Sequence, residues 1–236
     1  MSRLRWGLLS TARINRLIIP AIRASARSEV TAVASRDMDK CRAYATEWKI
    51  PRALGSYAAL LDDPDVDVIY ISLPNSLHAE WTVRAVEAGK HVLCEKPLAL
   101  HTEDVDRIEA AARRAGRAAA EAFMYRHHPL THAVQAVVKS GRLGELRGFK
   151  GAFTFPLTRD NDVRLNAALG GGSLWDVGCY PVSYACFRRM TRQRRCSDGN
   201  RRYHRAWTWN LPACCASVTA ASRSSIAGSS VRSARK

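Results

Sequence analysis

The stretch VDVIYISLPNSLHAEWTVRAVEAGKHVLC, residues 66–94, carries the clearest fold signal in this chain. Its first part, Val66–Leu73, is short enough for a strand and apolar enough to be covered on both faces, as strands of parallel sheets are. The helical segment that follows, His78–Ala88, ends at Gly89, a residue type that commonly terminates helices. Lys90–Cys94 then has the pattern of another strand. A strand, a helix and a second strand in this order predict a parallel sheet wrapped by helices.

The same alternation continues on both sides of this stretch. The N-terminal half predicts a strand from Arg5, a helix ending near Ala26, a strand over Val30–Ser35, and helices over Met38–Trp48, Tyr57–Asp62 and Thr102–Gly116. The pattern changes near Glu121, and the remaining predicted elements are a helix over about Leu130–Ser140, a strand over Leu146–Phe155 and a helix over Leu174–Phe187. The predicted fold class is therefore α/β, with a Rossmann-type, doubly wound parallel sheet over residues 1–122 and an incomplete C-terminal α+β domain over residues 123–187.

The last part of the chain, residues 188–236, has no periodicity and carries most of the net positive charge. It holds 12 basic residues against the single acid Asp198, and the whole chain has a formal net charge of +16. One interpretation is a basic arm that binds nucleic acid, with Tyr203, Trp207 and Trp209 as stacking residues. The other, which we favour, is a disordered, aberrant terminus, because Arg, Ala, Ser and Cys dominate when a GC-rich gene is read in the wrong frame. In that case nucleic acid is not expected as a partner.

The composition is that of an ordinary globular protein. With 47% hydrophobic and 25% charged residues, the chain is neither collagen-like, nor wholly disordered, nor a coiled coil. Its apolar runs fall short of the roughly 20 residues of a membrane-spanning helix, and the N-terminus lacks the apolar segment of a secretory signal. Seven cysteines without a CxxC pair support neither a disulfide framework nor a zinc site. We therefore expect a cytoplasmic protein with no membrane partner and no metal site.

The turn after the first strand is the place where a dinucleotide-binding fold carries its glycine-rich loop. Glycines there let the backbone approach the pyrophosphate at a helix N-terminus. Here the loop is degenerate, because small residues stand where glycine is expected, although small side chains still permit a close approach of phosphate. The candidate cofactor-binding residues of this turn are Ser10, Thr11, Ala12, Arg13 and Ile14. An ordinary strand-to-helix turn is the alternative.

A second cofactor signal follows the second strand, at Ser35-Arg36-Asp37. A carboxylate that binds the adenosine ribose of NAD is expected at about this place. A guanidinium binds phosphate through two parallel hydrogen bonds, so Ser35 and Arg36 favour the 2′-phosphate of NADP, whereas Asp37 leaves NAD possible. The alternative is a solvated pair of Arg36 and Asp37 at a helix start.

Polar segments follow the two central strands. In a doubly wound sheet the carboxyl ends of the strands form the ligand crevice, so these segments would face one cleft. The candidate cofactor-binding residues here are Leu73, Pro74, Asn75, His78, Glu95, Lys96 and Pro97. A third motif, Gly-Gly-Gly-Ser-Leu-Trp-Asp-Val-Gly-Cys-Tyr at residues 170–180, lies in the second domain. Its Asp176 and Tyr180 would share one face of a helix, because they are four residues apart.

Together, these motifs resemble those of the Gfo/Idh/MocA family of oxidoreductases, and the resemblance runs from about Arg5 to Phe187. It implies an NAD(P)-dependent enzyme of the branch that includes glucose-fructose oxidoreductase and the dimeric dihydrodiol dehydrogenases. The implied substrate is a sugar, polyol or vicinal diol that is oxidised at a carbinol carbon, and the implied assembly is a homodimer. Lys96 matches the catalytic lysine of the family, and Asp176 and Tyr180 match its catalytic pair in the second domain. Because the family's second domain continues into an open antiparallel sheet, we expect a chain truncated or frameshifted after about residue 187.

Hydride transfer calls for these residue types. A carbinol that loses a hydride to nicotinamide also loses its hydroxyl proton, and Tyr180 can take that proton. A nearby ammonium, which Lys96 can supply, lowers the pKa of a phenol, and Asp176 can orient the substrate or Lys96. Plainer roles stay open: a solvated strand end for Lys96, a helix-start charge for Asp176 and core packing for Tyr180. Two other functions also stay open, namely an inactive remnant that only binds NADP, and a nucleic-acid-binding protein with a basic tail.

Overall fold

The computed structural model describes residues 3–144, 148–189 and 215–221. The described chain forms two compact units. The first runs up to Phe123 and also includes Val163–Gly171, and the second consists of Met124–Asp162 and the described chain from Gly172 onward. The first unit thus ends one residue beyond the expected domain boundary at 122. The segment 163–171, which the sequence assigns to the second domain, belongs to the first unit.

A six-stranded parallel sheet forms the centre of the first unit. Its strands in chain order are β1 (Leu4–Leu9), β2 (Ser28–Ala34), β3 (Arg52–Leu54), β4 (Val68–Ile71), β5 (His91–Cys94) and β6 (Ala119–Glu121). Their order across the sheet is β3-β2-β1-β4-β5-β6, and every neighbouring pair is parallel. The predicted doubly wound fold is confirmed. The strand order reverses between β1 and β4, so the ligand crevice of such folds lies at the carboxyl ends of these strands.

Helices connect the strands and cover the sheet. They are α1 (Asn15–Ala24), α2 (Met38–Glu47), α3 (Tyr57–Leu61), α4 (His78–Glu87) and α5 (Thr102–Ala115). All of β4 is buried, with Ile69 and Ile71 in one apolar cluster and Tyr70 in a second cluster. Because alternate residues of a strand point to opposite faces, both faces of the sheet are covered, as the uninterrupted apolar sequence of β4 predicts. None of the described helices combines the length and the apolar character that crossing a bilayer requires.

The sequence does not predict the two edge strands, β3 and β6. Each has three residues, and neither contains a fully buried one. No apolar run or alternation therefore marks them. β3 pairs only with β2 and β6 only with β5, so each forms because a neighbouring strand offers unpaired backbone groups.

The second unit contains two helices and two strands: α6 (Pro129–Lys139), β7 (Gly148–Thr154), α7 (Cys179–Arg189) and β8 (Cys215–Ala221). β7 and β8 pair in parallel along their whole lengths. The sequence predicts no strand after Arg188, and this expectation is wrong for Cys215–Ala221. The backbone of β7 supplies the pairing that the local sequence does not reveal. The rest of the basic tail, with Tyr203, Trp207 and Trp209, lies outside the described residues.

Candidate functional site

A buried polar network holds the turn between β1 and α1. Ser10 has a φ of 121°, in the region that favours glycine, so it occupies a glycine position of the loop. Its Oγ lies 3.0 Å from the Ser72 Oγ and accepts a hydrogen bond from the Ala12 N–H at 3.1 Å. The Asn15 amide donates to the Ser10 carbonyl and accepts from the Ser72 hydroxyl, both at 2.8 Å. The Ser10 hydroxyl thus stabilises the turn from within, whereas the sequence suggested Ser10 as a cofactor-binding residue.

The N-terminus of α1 is open to an anion. This ten-residue helix has no side-chain cap and no acidic residue in its first turn, so no side chain there compensates its partial positive charge. Thr11, Ala12 and Ile14 lie partly exposed beside it. Arg13 is exposed, and its guanidinium has no hydrogen bond or ion pair within the described parts of the chain. Backbone amides, a helix N-terminus and a guanidinium are the groups that bind a pyrophosphate.

Arg36 and Asp37, which follow β2, have different surroundings. Asp37 is the N-cap of α2, where its carboxylate accepts the Lys40 N–H at 3.1 Å and pairs with the Lys40 ammonium at 3.1 Å. These contacts lower the pKa of Asp37. The Ser35 Oγ is buried and accepts the Asp37 N–H at 3.2 Å. Arg36 is exposed and has no partner among the residues that the structure describes. The carboxylate is therefore engaged with its own helix, while the guanidinium is available to a phosphate.

His78 joins the loops that follow β4 and β5. Its Nδ1 lies 2.7 Å from the Pro97 carbonyl oxygen, and its Nε2 lies 2.8 Å from the Leu73 carbonyl oxygen. The side chain is 1% exposed, and burial lowers the pKa of the imidazole. The sequence suggested that His78 binds the cofactor, but both of its ring nitrogens face backbone carbonyls. Its side chain therefore connects the two loops.

Lys96 lies at the carboxyl end of β5, and its backbone is held by the preceding residue. The Lys96 N–H donates to the Glu95 Oε2 at 3.3 Å, and the other carboxylate oxygen accepts the Tyr70 hydroxyl at 2.6 Å. The Leu98 N–H donates to the Glu121 carboxylate at 2.9 Å. Glu95 thus acts on the loop backbone. No sequence signal singled out Tyr70 as its partner, because Tyr70 reads as one more apolar residue of β4.

Asn75 and the first glycines of the 170–172 run also meet within the first unit. The Asn75 side-chain amide donates to the Gly170 carbonyl at 2.8 Å. Gly170 has a φ of 75°, and a Cβ there would lie 2.7 Å from a Leu100 methyl carbon. A Cβ on Gly171 would lie 2.6 Å from the Arg164 carbonyl oxygen. Glycine is therefore required at both positions, and the segment 163–171 is fixed beside the turn that carries Asn75.

The other two candidate catalytic residues, Asp176 and Tyr180, belong to the second unit. Asp176 lies in a π-helical turn, Leu174–Gly178, in which the Cys179 N–H donates to the Leu174 carbonyl five residues back. The sequence predicts one α-helix from Leu174 onward. The structure instead joins this π-turn to α7, a feature that is frequent at functional sites.

Tyr180 lies in the first turn of α7, among aromatic residues. Its ring meets Phe153 edge-on at 5.3 Å between centroids, and the Tyr125 ring lies 6.0 Å away. Its hydroxyl donates to the Met124 sulfur at 3.7 Å. Met124 is 64% exposed and Phe153 is 42% exposed, so the aromatic group opens to solvent at this side. The Tyr180 ring is packed, and its hydroxyl lies at the open side of the packing.

The candidate residues therefore divide between the units. The first unit gathers its cofactor candidates and Lys96 at the carboxyl edge of the sheet, while Asp176 and Tyr180 lie in the second unit. The sequence missed Asn15 and Ser72, which lock the first turn. The sequence signal that could have identified them is a polar residue directly after an apolar strand, Ser72, and a polar residue at a helix start, Asn15.

Comparisons with known proteins show the family to which this chain belongs. Residues 4–123 match the model of an oxidoreductase family with an NAD-binding Rossmann fold, and residues 131–194 match the GFO/IDH/MocA C-terminal domain. A crystal structure of a 3-ketoreductase from Actinomadura kijaniata, in complex with NADP and TDP-benzene, has a TM-score of 0.75 at 39% identity. That match covers 80% of this chain and 58% of the other.

Two curated relatives have names that describe a sugar and a diol enzyme. The D-xylose 1-dehydrogenase (NADP(+)) 2 of Haloferax volcanii is 45% identical over 182 residues, which cover 76% of this chain and 55% of that protein. The trans-1,2-dihydrobenzene-1,2-diol dehydrogenase of Xenopus laevis is 35% identical over 182 residues, with the same coverage of 76% and 55%. The chain thus spans just over half the length of the curated relatives that it matches.

Proposed function

Because the chain belongs to the Gfo/Idh/MocA family of oxidoreductases, we propose that it is an NADP-dependent enzyme that transfers a hydride between nicotinamide and a carbinol carbon. The proposed substrate is a sugar, a polyol or a vicinal diol, in line with the names of its relatives. The choice of NADP rests on Arg36, which follows β2. Its guanidinium is exposed and has no partner among the residues that the structure describes. The neighbouring aspartate, which would favour NAD, is bound to its own helix.

The residues of the first unit fit this cofactor. The amides of the turn that leads into α1, with Arg13 beside them, would bind the pyrophosphate, and Arg36 with Ser35 would bind the 2′-phosphate. The turns after β4 and β5, which carry Asn75 and Lys96, lie at the same edge of the sheet. When bound, the nicotinamide ring supplies the hydride acceptor or donor of the reaction.

The proposed chemical roles divide among three residues. Tyr180 takes the hydroxyl proton as the hydride leaves the carbinol carbon, and returns it in the reverse direction, so charge and atoms balance. The Lys96 ammonium favours the phenolate form of such a tyrosine. Asp176 orients the substrate hydroxyl or the ammonium. Support comes from the resemblance of the motifs around Lys96, Asp176 and Tyr180 to those of the family, and from the hydroxyl of Tyr180 at the open side of its aromatic group.

Turnover assays on the full chain test this function. NADPH formation or consumption is followed with a panel of aldoses, polyols, vicinal diols and the corresponding ketones. We expect Tyr180→Phe and Lys96→Met each to lower kcat by at least about 100-fold, the scale of an acid–base group, while the Kd of NADPH changes by less than about three-fold.

Matched controls are available for both variants. Tyr184→Phe removes a hydroxyl from the same helix and the same aromatic group, and Lys139→Met removes a positive charge from the last turn of α6. Both controls should retain wild-type kcat. Unchanged kcat in both Tyr180→Phe and Lys96→Met would contradict the assigned roles. NADPH binding without turnover of any panel substrate would support the alternative of an inactive dinucleotide-binding protein.

A further inference from the structure

The loop after β5 is held by side chains that bind its main chain. The amides of Lys96 and Leu98 each donate to a glutamate carboxylate, at 3.3 Å and 2.9 Å. Between them, the Pro97 carbonyl oxygen lies 2.7 Å from the Nδ1 of His78. Three consecutive residues, beginning with the proposed catalytic lysine, are thus each fixed through a backbone group. Of the side chains that do this, Glu95 immediately precedes the loop, Glu121 ends β6 and His78 begins α4.

His78 also binds the neighbouring loop. Its Nε2 lies 2.8 Å from the Leu73 carbonyl oxygen, just after β4, and the side chain is 1% exposed. Solvent therefore does not reach either contact in the folded protein. The imidazole is a rigid ring, so it sets the separation of two carbonyl groups that belong to adjacent loops of the carboxyl edge. The position of the ring therefore restrains the main chain at Leu73 and at Pro97.

We propose that His78 is a positioning residue, which fixes the main chain of Lys96 through the Pro97 carbonyl and so places the Lys96 ammonium for the reaction. The inference rests on the proposed catalytic role of Lys96. His78 contacts neither substrate nor cofactor in this scheme. A displacement of about 1 Å at a group that acts on the reacting atoms is enough to lower a rate by about 100-fold.

Two amide substitutions separate the two contacts of the ring. The amide of asparagine reaches the place of Nδ1, whereas the longer glutamine reaches the place of Nε2, and each supplies an N–H donor. His78→Asn therefore supplies a donor to the Pro97 carbonyl, and His78→Gln supplies a donor to the Leu73 carbonyl. We expect His78→Gln to lower kcat by about 100-fold and His78→Asn to recover kcat to within about ten-fold of wild type. The Kd of NADPH should stay within about three-fold of wild type in both.

Lys90→Met is a matched control at the opposite edge of the sheet. Lys90 is 8% exposed, and its ammonium donates to the carbonyls of Asp63 and Val66 at 2.6 Å and 2.8 Å. Like His78, it is a buried side chain that binds two backbone carbonyls, but it precedes β5, whereas Lys96 follows it. Lys90→Met should lower the unfolding midpoint and leave kcat unchanged. The control thereby separates loss of stability from loss of position.

A readout without turnover keeps the two proposals distinguishable. Hydrogen–deuterium exchange of the full chain reports the protection of the Lys96 and Leu98 amides. We expect exchange about ten-fold faster in His78→Gln, and wild-type exchange in His78→Asn and Lys90→Met. If the wild type shows no turnover, the proposed function fails, and the exchange data alone decide the role of His78.

The outcomes separate clearly. Faster exchange in His78→Gln alone, with a matching fall in kcat where the wild type is active, supports the positioning role. Equal effects in His78→Gln and His78→Asn, or a comparable effect in Lys90→Met, overturn it, because a general loss of packing then explains the data. Wild-type exchange in both His78 variants also overturns it.

Discussion

Replacement of Arg36 by alanine tests which dinucleotide the first unit binds. The guanidinium is exposed and has no intramolecular partner within the described chain, so its removal breaks no contact in that part of the protein. The effect must then appear in the contact with the ligand. A hydrogen bond between charged groups contributes about 1.5–3 kcal/mol, and screening by physiological salt at an exposed site favours the lower end of this range.

A contribution of about 1.5–2 kcal/mol corresponds to a loss of about 10–30-fold in affinity for NADPH. NADH has no 2′-phosphate, so its Kd should change by less than about two-fold. Asp37 still caps α2 in Arg36→Ala, so the helix itself stays intact. The assay is a titration of the full chain with each cofactor at one fixed salt concentration, followed by nicotinamide fluorescence.

Arg27→Ala is the matched control for this measurement. Arg27 is exposed and immediately precedes β2, whereas Arg36 lies two residues after it, so both variants remove one positive charge at opposite ends of the same strand. Arg27→Ala should leave both Kd values unchanged. Equal weakening of NADPH and NADH by Arg36→Ala would refute the assignment, as would a loss of similar size in Arg27→Ala.

Three further predictions concern stability and local structure. Ser10→Ala should lower the thermal midpoint more than Ser10→Gly, because both lose the hydroxyl contacts but only glycine relieves the positive φ; the reverse order in a melting experiment would count against this. The Arg5 guanidinium lowers the pKa of Asp67, so their pair stabilises the fold above the ordinary carboxyl pKa and loses this effect as the pH falls through the lowered pKa. The urea midpoint of Asp67→Asn should therefore fall less steeply than that of wild type below about pH 4, and parallel curves would contradict the reasoning. Gly171→Ala would place a Cβ 2.6 Å from the Arg164 carbonyl oxygen, so the segment 163–171 must shift. We therefore expect faster proteolytic cleavage within 163–171, while the rate of cleavage within α5 stays unchanged.

The first unit was largely predictable from the sequence. Val66–Leu73 reads as a strand covered on both faces, and β4 is buried along its whole length. The helix starts at Met38 and His78 also agree with the structure, and at Met38 the cap residue Asp37 marks the start locally. The edge strands β3 and β6 were not predictable, since three residues hold no periodicity and the pairing partner is distant in sequence.

The candidate site was predictable as a set of residues, although their contacts were not. Motif and strand position placed Arg36, Lys96 and Asn75 at the carboxyl edge of the sheet. The sequence left Asp37 open to the ribose of NAD, and only the structure shows its carboxylate as the cap of α2. Likewise, the pattern marked His78 as a cofactor neighbour, whereas the fold buries its ring between two carbonyls.

The sequence alone thus determined what depends on local order: which segments form strands and helices, and which residues end them. Those properties follow from periodicity, caps and side-chain size, which neighbouring residues carry. Tertiary structure alone decided the orientation and partners of the polar side chains, such as Ser10 turned inward to Ser72 and His78 held between Leu73 and Pro97. These contacts join residues from different strands, and a buried polar group binds whichever unsatisfied partner the packed chain brings to it.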